Sequence, residues 1–465
     1  MAPVATRGAK PAFASSTRPV IAGGVALATG YLLLLGWAMG RLSYDVWGAL
    51  LIGPLMAALA LALVLWSGRR QGDSVVTRIL VAAVVAKLAG TAVRYFVTFY
   101  AYRTADARGY DRAGRELAAA FRLGDFNLGD IPLSNTRFIQ VVTGAVYAVI
   151  GDTVGGAFLV FSLLSFVGFF FFYRAFCIAV PTGDHRRYAA LLFFLPSVLY
   201  WPSSLGKDAW MAFAIGLTCY GAARLLSHRR GGLICLAIGL AACTAVRPHI
   251  ALALVASGAA AYALRSSRNR SAFGPLAKVV GLIVLGGGAL VLSGQVEEKF
   301  GLANLDPDSV ADVLDRNETQ TAQGGSRFGS VRVNAPADVP VAVVTVLFRP
   351  FPHEAENAQM LVASAEGVAL LMLFAVGWRR LATAVRQIRG SPYLAFCVAY
   401  LLLFIVGFST VVNFGVLARQ RVQVLPLLLT LLCVPAAIRK PVAATGPRWV
   451  AGSSHPAHPD QGPSR

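Results

Sequence analysis

The chain has 465 residues, a mean hydropathy of +0.63 and only 14% charged residues. A soluble globular chain carries about 25% charged residues. This composition excludes an ordinary soluble domain, a largely disordered protein and a collagen-like or disulfide-rich secreted chain. It favours a membrane protein that folds as one helical bundle.

Apolar runs recur along the whole sequence. A helix needs about 20 mostly apolar residues to cross a bilayer, and six runs reach this length alone: 19–40, 48–66, 79–102, 155–177, 359–379 and 393–411. Shorter runs lie at 188–202, 207–226, 232–246, 249–265, 276–293 and 422–438. The sequence therefore predicts an all-α bundle of about twelve spans over residues 19–440. A tail at 1–18 precedes it, and a disordered Pro-, Gly- and Ser-rich tail at 441–465 follows.

The net charge of +20 is unevenly distributed along the chain. Short cytoplasmic loops of membrane proteins are rich in Lys and Arg. With the N-terminal tail in the cytoplasm, 22 basic and three acidic residues fall on the cytoplasmic side, and the outer segments are almost neutral. The charge therefore indicates a multi-pass protein of the cell membrane with both termini in the cytoplasm. It also predicts attraction to anionic membrane lipids and gives no indication of nucleic-acid binding.

This topology leaves two long outer loops, at 103–154 and 294–358. Residues 136–151 are apolar enough to be considered as a further span, but that span would place Arg186 and Arg187 outside. The charge rule therefore predicts an amphipathic helix on the outer face of the membrane. We expect both outer loops to contain such juxtamembrane helices.

Polar side chains from five distant segments fall near the predicted outer ends of spans. Ionisable groups near the membrane interior are costly and often functional. A single Arg or Lys at a span end is equally well explained as an anchor that snorkels to water, but the whole set indicates a site. Its candidates are Asp106, Tyr110, Asp111, Lys207, Asp208, Arg247, His249, Arg349, His353, Arg419 and Arg421.

These residue types indicate an acid/base group beside several cations. Asp106 follows the third span directly, so we expect it to act as the general base that takes a proton from an attacking hydroxyl. The arginines and Lys207 are suited to hold a phosphate or pyrophosphate, because guanidinium presents a planar fork of donors. Anionic lipid headgroups compete for the same cations. The His and Cys spacings match no metal motif, so no metal ligand is predicted, and a divalent cation is left open as a cofactor.

Two further cations, Lys87 and Arg94, lie seven residues apart within the third predicted span, on one helical face. One interpretation is that they reach an anionic substrate or pair with Asp208. The other is that Arg94 snorkels outward and Lys87 pairs locally.

The stretch DARGYDRAG, from Asp106 to Gly114, resembles the acidic motif of the GT-C superfamily of integral membrane glycosyltransferases, in which Asp is followed four residues later by Tyr. The next stretches, RELAAAFRLGDF and FIQVVTGAVYAVIGD, resemble the family's juxtamembrane helices, and PSVLYWPSSLGKDAWMAFAIGL resembles its next outer hairpin. The resemblance is to members similar to glycosyltransferase family 39. It implies inverting transfer of a sugar from a polyprenyl-phosphate donor to a glycan, lipid or protein acceptor on the extracytoplasmic face, with Asp106 as the base.

Two other functions remain open. The Arg-Pro and later Arg-rich segments are similar to O-antigen-polymerase-like proteins, which favours a lipid-linked oligosaccharide polymerase or ligase with the cations on pyrophosphate. A non-enzymatic flippase for lipid-linked sugars is the third reading. A carrier is expected to have polar groups near the membrane midplane, broken spans and internal repeats, whereas the polar groups here cluster on one face.

Overall fold

The computed structural model describes residues 17–101, 106–129, 132–264 and 335–436, with short pieces between 318 and 333. Most of these residues are helical and none of them forms a strand, which confirms the predicted all-α class. The helices are α1 (Thr17–Arg41), α2 (Tyr44–Gln71), α3 (Ser74–Phe96, extended by a π-helical turn at Val97–Ala101), α4 (Asp106–Arg122), α5 (Asn135–Ile150), α6 (Val154–Ala179), α7 (His185–Phe194), α8 (Pro196–Tyr200), α9 (Lys207–Leu226), α10 (Gly232–Thr244), α11 (Pro248–Leu264), α12 (Val339–Phe348), α13 (Ala358–Arg386), α14 (Pro392–Phe408), α15 (Phe414–Arg421) and α16 (Leu425–Leu432).

Six of the described helices are long and apolar enough to cross a membrane. They are α1, α2, α3 with its π turn, α6, α9 and α13. Helices α15 and α16 pass the same test as a pair, although their axes are bent by 59° at the break between them. This is the architecture of a membrane protein.

The other predicted spans take different forms. The runs at 393–411, 232–246 and 249–265 are the shorter apolar helices α14, α10 and α11. The run at 188–202 is divided into α7 and α8, because Pro196 has no N–H to continue a helix and restricts the residue before it to an extended conformation. The run at 276–293, residues 1–16 of the first tail and the whole tail at 441–465 lie outside the described residues. The count of twelve spans therefore stays a prediction.

Side-chain caps fix several helix starts. The first N–H groups of a helix have no partner within it, and Asp, Asn or Thr at the preceding position can accept their hydrogen bonds. Asp73 accepts from the first turn of α3, and Thr153 accepts from Gly156 N in α6. Asn357 and Asn413 do the same for α13 and α15. The caps at Asn357 and Asn413 set where α13 and α15 begin. Both helices carry charged residues of the candidate site.

Helix α6 lies at the centre of the core and packs closely along α9. A Cβ on Gly216 would lie 2.2 Å from the Gly168 carbonyl oxygen, and one on Gly168 would lie 2.4 Å from that of Ala212. Only glycine allows the two backbones to approach so closely, as at many helix interfaces in membranes. This contact fixes α9 and hence the charged residues in its first turn.

Specific contacts define the two ends of the bundle. At one, here called the Asp73 end, Arg186 pairs with Asp73 and Asp184 N donates to Cys433 O. The opposite end is called the Asp106 end. There α5 packs against α4. Both helices lie between α3 and α6 in the chain, so α3 ends and α6 begins at this end of the bundle.

Candidate functional site

Arg419 connects carboxylates from two distant segments at the Asp106 end. Its Nη1 lies 3.0 Å from Asp106 Oδ2, and its Nε donates to Asp208 Oδ2. Asp106 begins α4, Asp208 lies in the first turn of α9, and Arg419 lies in α15. The fold therefore joins three of the residues that the sequence selected.

The turn between α10 and α11 adds a second arginine. Arg247 Nη2 lies 3.5 Å from Asp208 Oδ1, and Arg247 Nη1 donates to the side chain of Gln420. We call Asp106, Asp208, Arg247, Arg419 and Gln420 the Arg419 cluster. His249 lies two residues after Arg247, half-buried in the first turn of α11.

The cluster extends from the protein interior to its surface. The side chains of Asp208 and Arg247 are 8% and 11% exposed, whereas that of Asp106 is 61% exposed. Buried charges are tolerated when they are paired, which explains why Asp208 contacts two arginines. Asp106 is the most exposed member, so an incoming molecule can reach it.

Tyr110 and Lys207 flank the cluster. Tyr110 is buried against the turn at Gly206, whose φ of +146° is available to glycine and strained for other residues. Burial raises the pKa of Tyr110, and the Asp106 carboxylate raises it further, so this side chain remains a neutral phenol. Lys207 Nζ donates to Thr136 Oγ1 at 2.8 Å and so ties α9 to α5.

Asp111 belongs to a separate network. It accepts hydrogen bonds from Arg115 Nε at 2.9 Å and from Tyr147 OH at 2.7 Å, and Arg115 also pairs with Asp45 at the start of α2. Burial first, and then the Asp111 carboxylate, raise the pKa of Tyr147. These contacts join α2, α4 and α5, so Asp111 holds these three helices together, and among the described residues it makes no hydrogen bond or ion pair with the Arg419 cluster.

Arg349 and His353 lie at the end of α12. Arg349 Nε donates to Glu354 at 3.0 Å, and its guanidinium stacks on the rings of Phe328 and Phe414. Burial acts to raise the pKa of Glu354, but the hydrogen bonds from Arg349 and Phe351 N and the positive charge of Arg349 together lower it. His353 is exposed and stacks on Phe351. The charge of Arg349 is therefore compensated locally.

A cavity of about 510 Å³ lies between α3, α8, α13 and α15. Most of its wall is apolar, with Val93, Val97, Leu199 and Val362 among the lining residues. A smaller cavity of about 220 Å³ adjoins it and shares Trp201, Gln359, Ala363 and Ala418 in its wall. Ala418 directly precedes Arg419, so the large cavity reaches the segment that carries the Arg419 cluster.

Arg421 lines the large cavity and is fully buried. Its Nη1 donates to the carbonyl oxygens of Leu347 at 2.8 Å and Arg349 at 3.1 Å. Its Nε and Nη2 have no hydrogen-bond partner among the described residues. Arg421 thus combines full burial with two donors that the described protein groups leave unused.

Charged side chains hold the short helix α8, which forms another wall of the cavity. Lys87 Nζ donates to Val198 O at 3.1 Å, and Glu366 accepts from Ser197 N and Ser197 Oγ, each at 2.6 Å. Arg94 stacks on the rings of Tyr200 and Trp201. Interrupted helices within membrane proteins persist where protein groups satisfy the backbone or where they line a cavity, and α8 meets both conditions. Lys87 and Arg94 share a face, as predicted, and both contact the α8 segment instead of Asp208.

Two residues that sequence reasoning did not select take part in these arrangements. Gln420 could not be selected from the sequence, because a glutamine between two arginines is common on protein surfaces. Glu366 does carry one, since it is an acid within an apolar run and intramembrane acids mark sites.

The architecture and the site define an all-helical membrane protein with a charged cluster and an adjoining apolar cavity at one end. Comparisons of this chain with protein-family models, curated proteins and solved structures found no match.

Proposed function

We propose that this protein is a membrane glycosyltransferase that transfers a sugar from a polyprenyl-phosphate donor to a glycan, lipid or protein acceptor of the cell envelope. The observation that carries the proposal is the contact between Asp106 and Arg419, 313 residues apart in sequence, at one end of a bundle of span-length helices. It puts an accessible carboxylate and a cation at a surface where a lipid-borne substrate can arrive.

The reaction requires a base for the acceptor and a leaving group on the donor, which is polyprenyl phosphate. In the proposed step, the acceptor oxygen attacks the anomeric carbon as its proton moves to the Asp106 carboxylate. The bond between the anomeric carbon and the phosphate oxygen breaks, and the phosphate leaves with the electron pair. Arg419 holds Asp106 through Oδ2, while Oδ1 accepts no hydrogen bond from the described residues and is suited to receive the proton.

The charge distribution supports an orientation for this reaction. Arg69, Arg70, Arg186 and Arg187 lie toward the Asp73 end, and cytoplasmic faces are enriched in such residues. We therefore assign the Asp73 end and both termini to the cytoplasm and the Asp106 end to the extracytoplasmic side of the cell membrane. Donor and acceptor would meet outside the cell.

A lipid-linked sugar flippase is the second candidate. The division of α7 from α8 and the 59° bend between α15 and α16 favour it, because discontinuous helices are common in transporters. A flippase would move the lipid-linked sugar and leave the sugar–phosphate bond intact.

The two candidates are separated by following that bond. Purified protein in nanodiscs would be given a radiolabelled polyprenyl-phosphate sugar together with envelope acceptors. Glycosyl transfer predicts release of free polyprenyl phosphate in step with label in the acceptor. Transbilayer movement of intact donor in liposomes, with no release under any acceptor condition, would establish the flippase instead.

A further inference from the structure

The smaller cavity combines aromatic rings with amide groups. Its wall includes Trp201 and Phe414 together with Asn357 and Gln359, which lie at the cap and in the first turn of α13. Ala418, in the same wall, directly precedes Arg419, so the cavity adjoins the Arg419 cluster. Its volume of about 220 Å³ is below the roughly 300 Å³ at which sites for drug-sized ligands begin. The cavity therefore has room for one ring-sized group.

The two amides in this wall have unused hydrogen-bonding groups. Asn357 Oδ1 caps α13 by accepting from Met360 N at 2.9 Å, which leaves Asn357 Nδ2 without a partner among the described residues. The side chain of Gln359 makes no hydrogen bond within the described part of the chain. An amide offers both donors and an acceptor, and a hydroxyl offers the same. These groups therefore match a ligand that carries several hydroxyls.

Neighbouring side chains hold both aromatic rings in place. The Arg94 guanidinium lies 4.9 Å from the centre of the Trp201 ring, and Phe328 stacks on Phe414 with the ring centres 4.2 Å apart. A ring that is already fixed loses little entropy when a ligand binds. Aromatic faces are large, apolar and slightly negative, so they suit the C–H groups of a ligand. A saturated ring with C–H groups on its face and hydroxyls at its edge satisfies the aromatic rings and the amides together.

We infer that this cavity binds one uncharged sugar ring and excludes sugars that carry a carboxylate or an ammonium group. None of the described residues that line it is charged. Arg94 and Arg349 stack on its aromatic residues but do not belong to its described wall. A charged ligand would lose its hydration here without gaining an opposite charge, which is costly.

This inference deepens the proposed function by naming the class of sugar. It rests on that function only for the view that the bound ring takes part in transfer. The cavity, its amides and its lack of charge among the described lining residues support sugar binding independently of any reaction.

Binding of small probes to the full-length protein in zwitterionic nanodiscs tests the inference without a lipid-linked donor. The neutral probes are the methyl glycosides of glucose, galactose, mannose and arabinose. The comparison probes are methyl glucuronide, methyl glucosaminide in its protonated form, and cyclohexanol. Ligand-observed NMR should show binding of at least one neutral glycoside, with every comparison probe at least tenfold weaker. Absence of binding by all neutral glycosides, or equal binding of a charged sugar or of cyclohexanol, would overturn the inference.

Two glycine variants locate the site. Gly415 lies in the cavity wall, and a Cβ added there would have Asn413 Oδ1, at 3.3 Å, as its one neighbour within 4 Å among the described residues. Gly415→Leu therefore fills the cavity from α15. Gly407→Leu makes the same change in α14, where an added Cβ meets no described atom within 4 Å. The neutral glycoside should bind Gly407→Leu normally and Gly415→Leu at least tenfold more weakly, and equal binding by the two would contradict the location.

A second pair of variants tests the amide contact. Gln359→Leu removes a donor and an acceptor from the cavity wall, whereas Gln140→Leu makes the same change at a half-buried position on α5 outside the described cavity walls. Loss of a hydrogen bond to a sugar hydroxyl should weaken binding by Gln359→Leu about five- to tenfold. Gln140→Leu should bind normally. Unchanged binding by Gln359→Leu would overturn the inference even if Gly415→Leu fails to fold.

Transfer assays separate the source of the ring and the two proposals. A raised KM for the polyprenyl-phosphate sugar in Gly415→Leu would assign the ring to the donor, and a raised KM for the acceptor alone would assign it to the acceptor glycan. Binding of neutral glycosides by a protein that transfers no sugar would remove the proposed function and keep the site. Transfer by Gly415→Leu with both KM values unchanged would remove the site alone.

Discussion

Asp208 compensates two arginines at once: Arg419 donates to its Oδ2, and Arg247 Nη2 lies 3.5 Å from its Oδ1. The three side chains come from α9, α15 and the turn between α10 and α11. A buried carboxylate therefore joins helices from the middle and the end of the chain. The Asp106 end depends on this charge compensation as well as on apolar packing.

Replacing Asp208 should destabilise the fold strongly. Asp208→Ala leaves Arg419 and Arg247 without their shared buried partner, and breaking such a pair costs about 3–5 kcal/mol. The matched control is Asp152→Ala, which breaks a more exposed pair with Arg122 at the same end and should cost about 0–1 kcal/mol. The free energy of unfolding in detergent is the measurement. Equal losses in the two variants would show that the Arg419 cluster contributes little to stability.

We expect Glu366 to stabilise the fold by holding α8 in place. Glu366→Ala removes the acceptor of two buried donors of Ser197, which should cost about 1–3 kcal/mol for each unsatisfied group. Ser364→Ala is the control in the same helix, because Ser364 Oγ is buried without a hydrogen-bond partner among the described residues. Its removal should be nearly neutral. Unfolding measurements that rank the two variants in the opposite order would exclude this role for Glu366.

The proposed orientation predicts how introduced cysteines are labelled in intact cells. Ser134 precedes α5, and Gly390 lies in the turn between α13 and α14. In a variant lacking the native cysteines, Ser134→Cys should react with a membrane-impermeant reagent from outside. Gly390→Cys should react only after permeabilisation. Outward labelling at Gly390 would reverse the orientation and place the Arg419 cluster in the cytoplasm.

Sequence reasoning identified the helical class and many of the charged groups. Apolar length identifies α2, α6 and α13 because membrane helices must satisfy their backbone internally and bury few polar side chains. Charged residues near such runs are conspicuous for the same reason, which is why Asp106, Asp208 and Arg419 could be selected in advance.

The pairing of these groups could not be predicted. Nothing in the spacing of Asp106 and Asp111 shows that the first contacts Arg419 in α15 while the second contacts Tyr147 in α5, since both contacts depend on tertiary packing. The division of 188–202 and the role of Lys87 on α8 were missed for a related reason. A short apolar run does not reveal where a helix is interrupted, and a buried Lys can be satisfied by a backbone carbonyl as well as by an acid.

The most direct test of the central claim is sugar transfer from a polyprenyl-phosphate donor by purified Asp106→Asn. Asn keeps the shape but cannot accept the acceptor's proton, and a positioned base contributes about 10²- to 10⁴-fold, so turnover should fall by that factor with donor binding largely kept. Glu116→Gln, an exposed change on the same helix, should be normal, and Asp111→Asn should reduce turnover less. A dead Asp111→Asn variant beside a nearly normal Asp106→Asn would move the base to Asp111. Normal transfer by both variants would contradict a catalytic role for this helix.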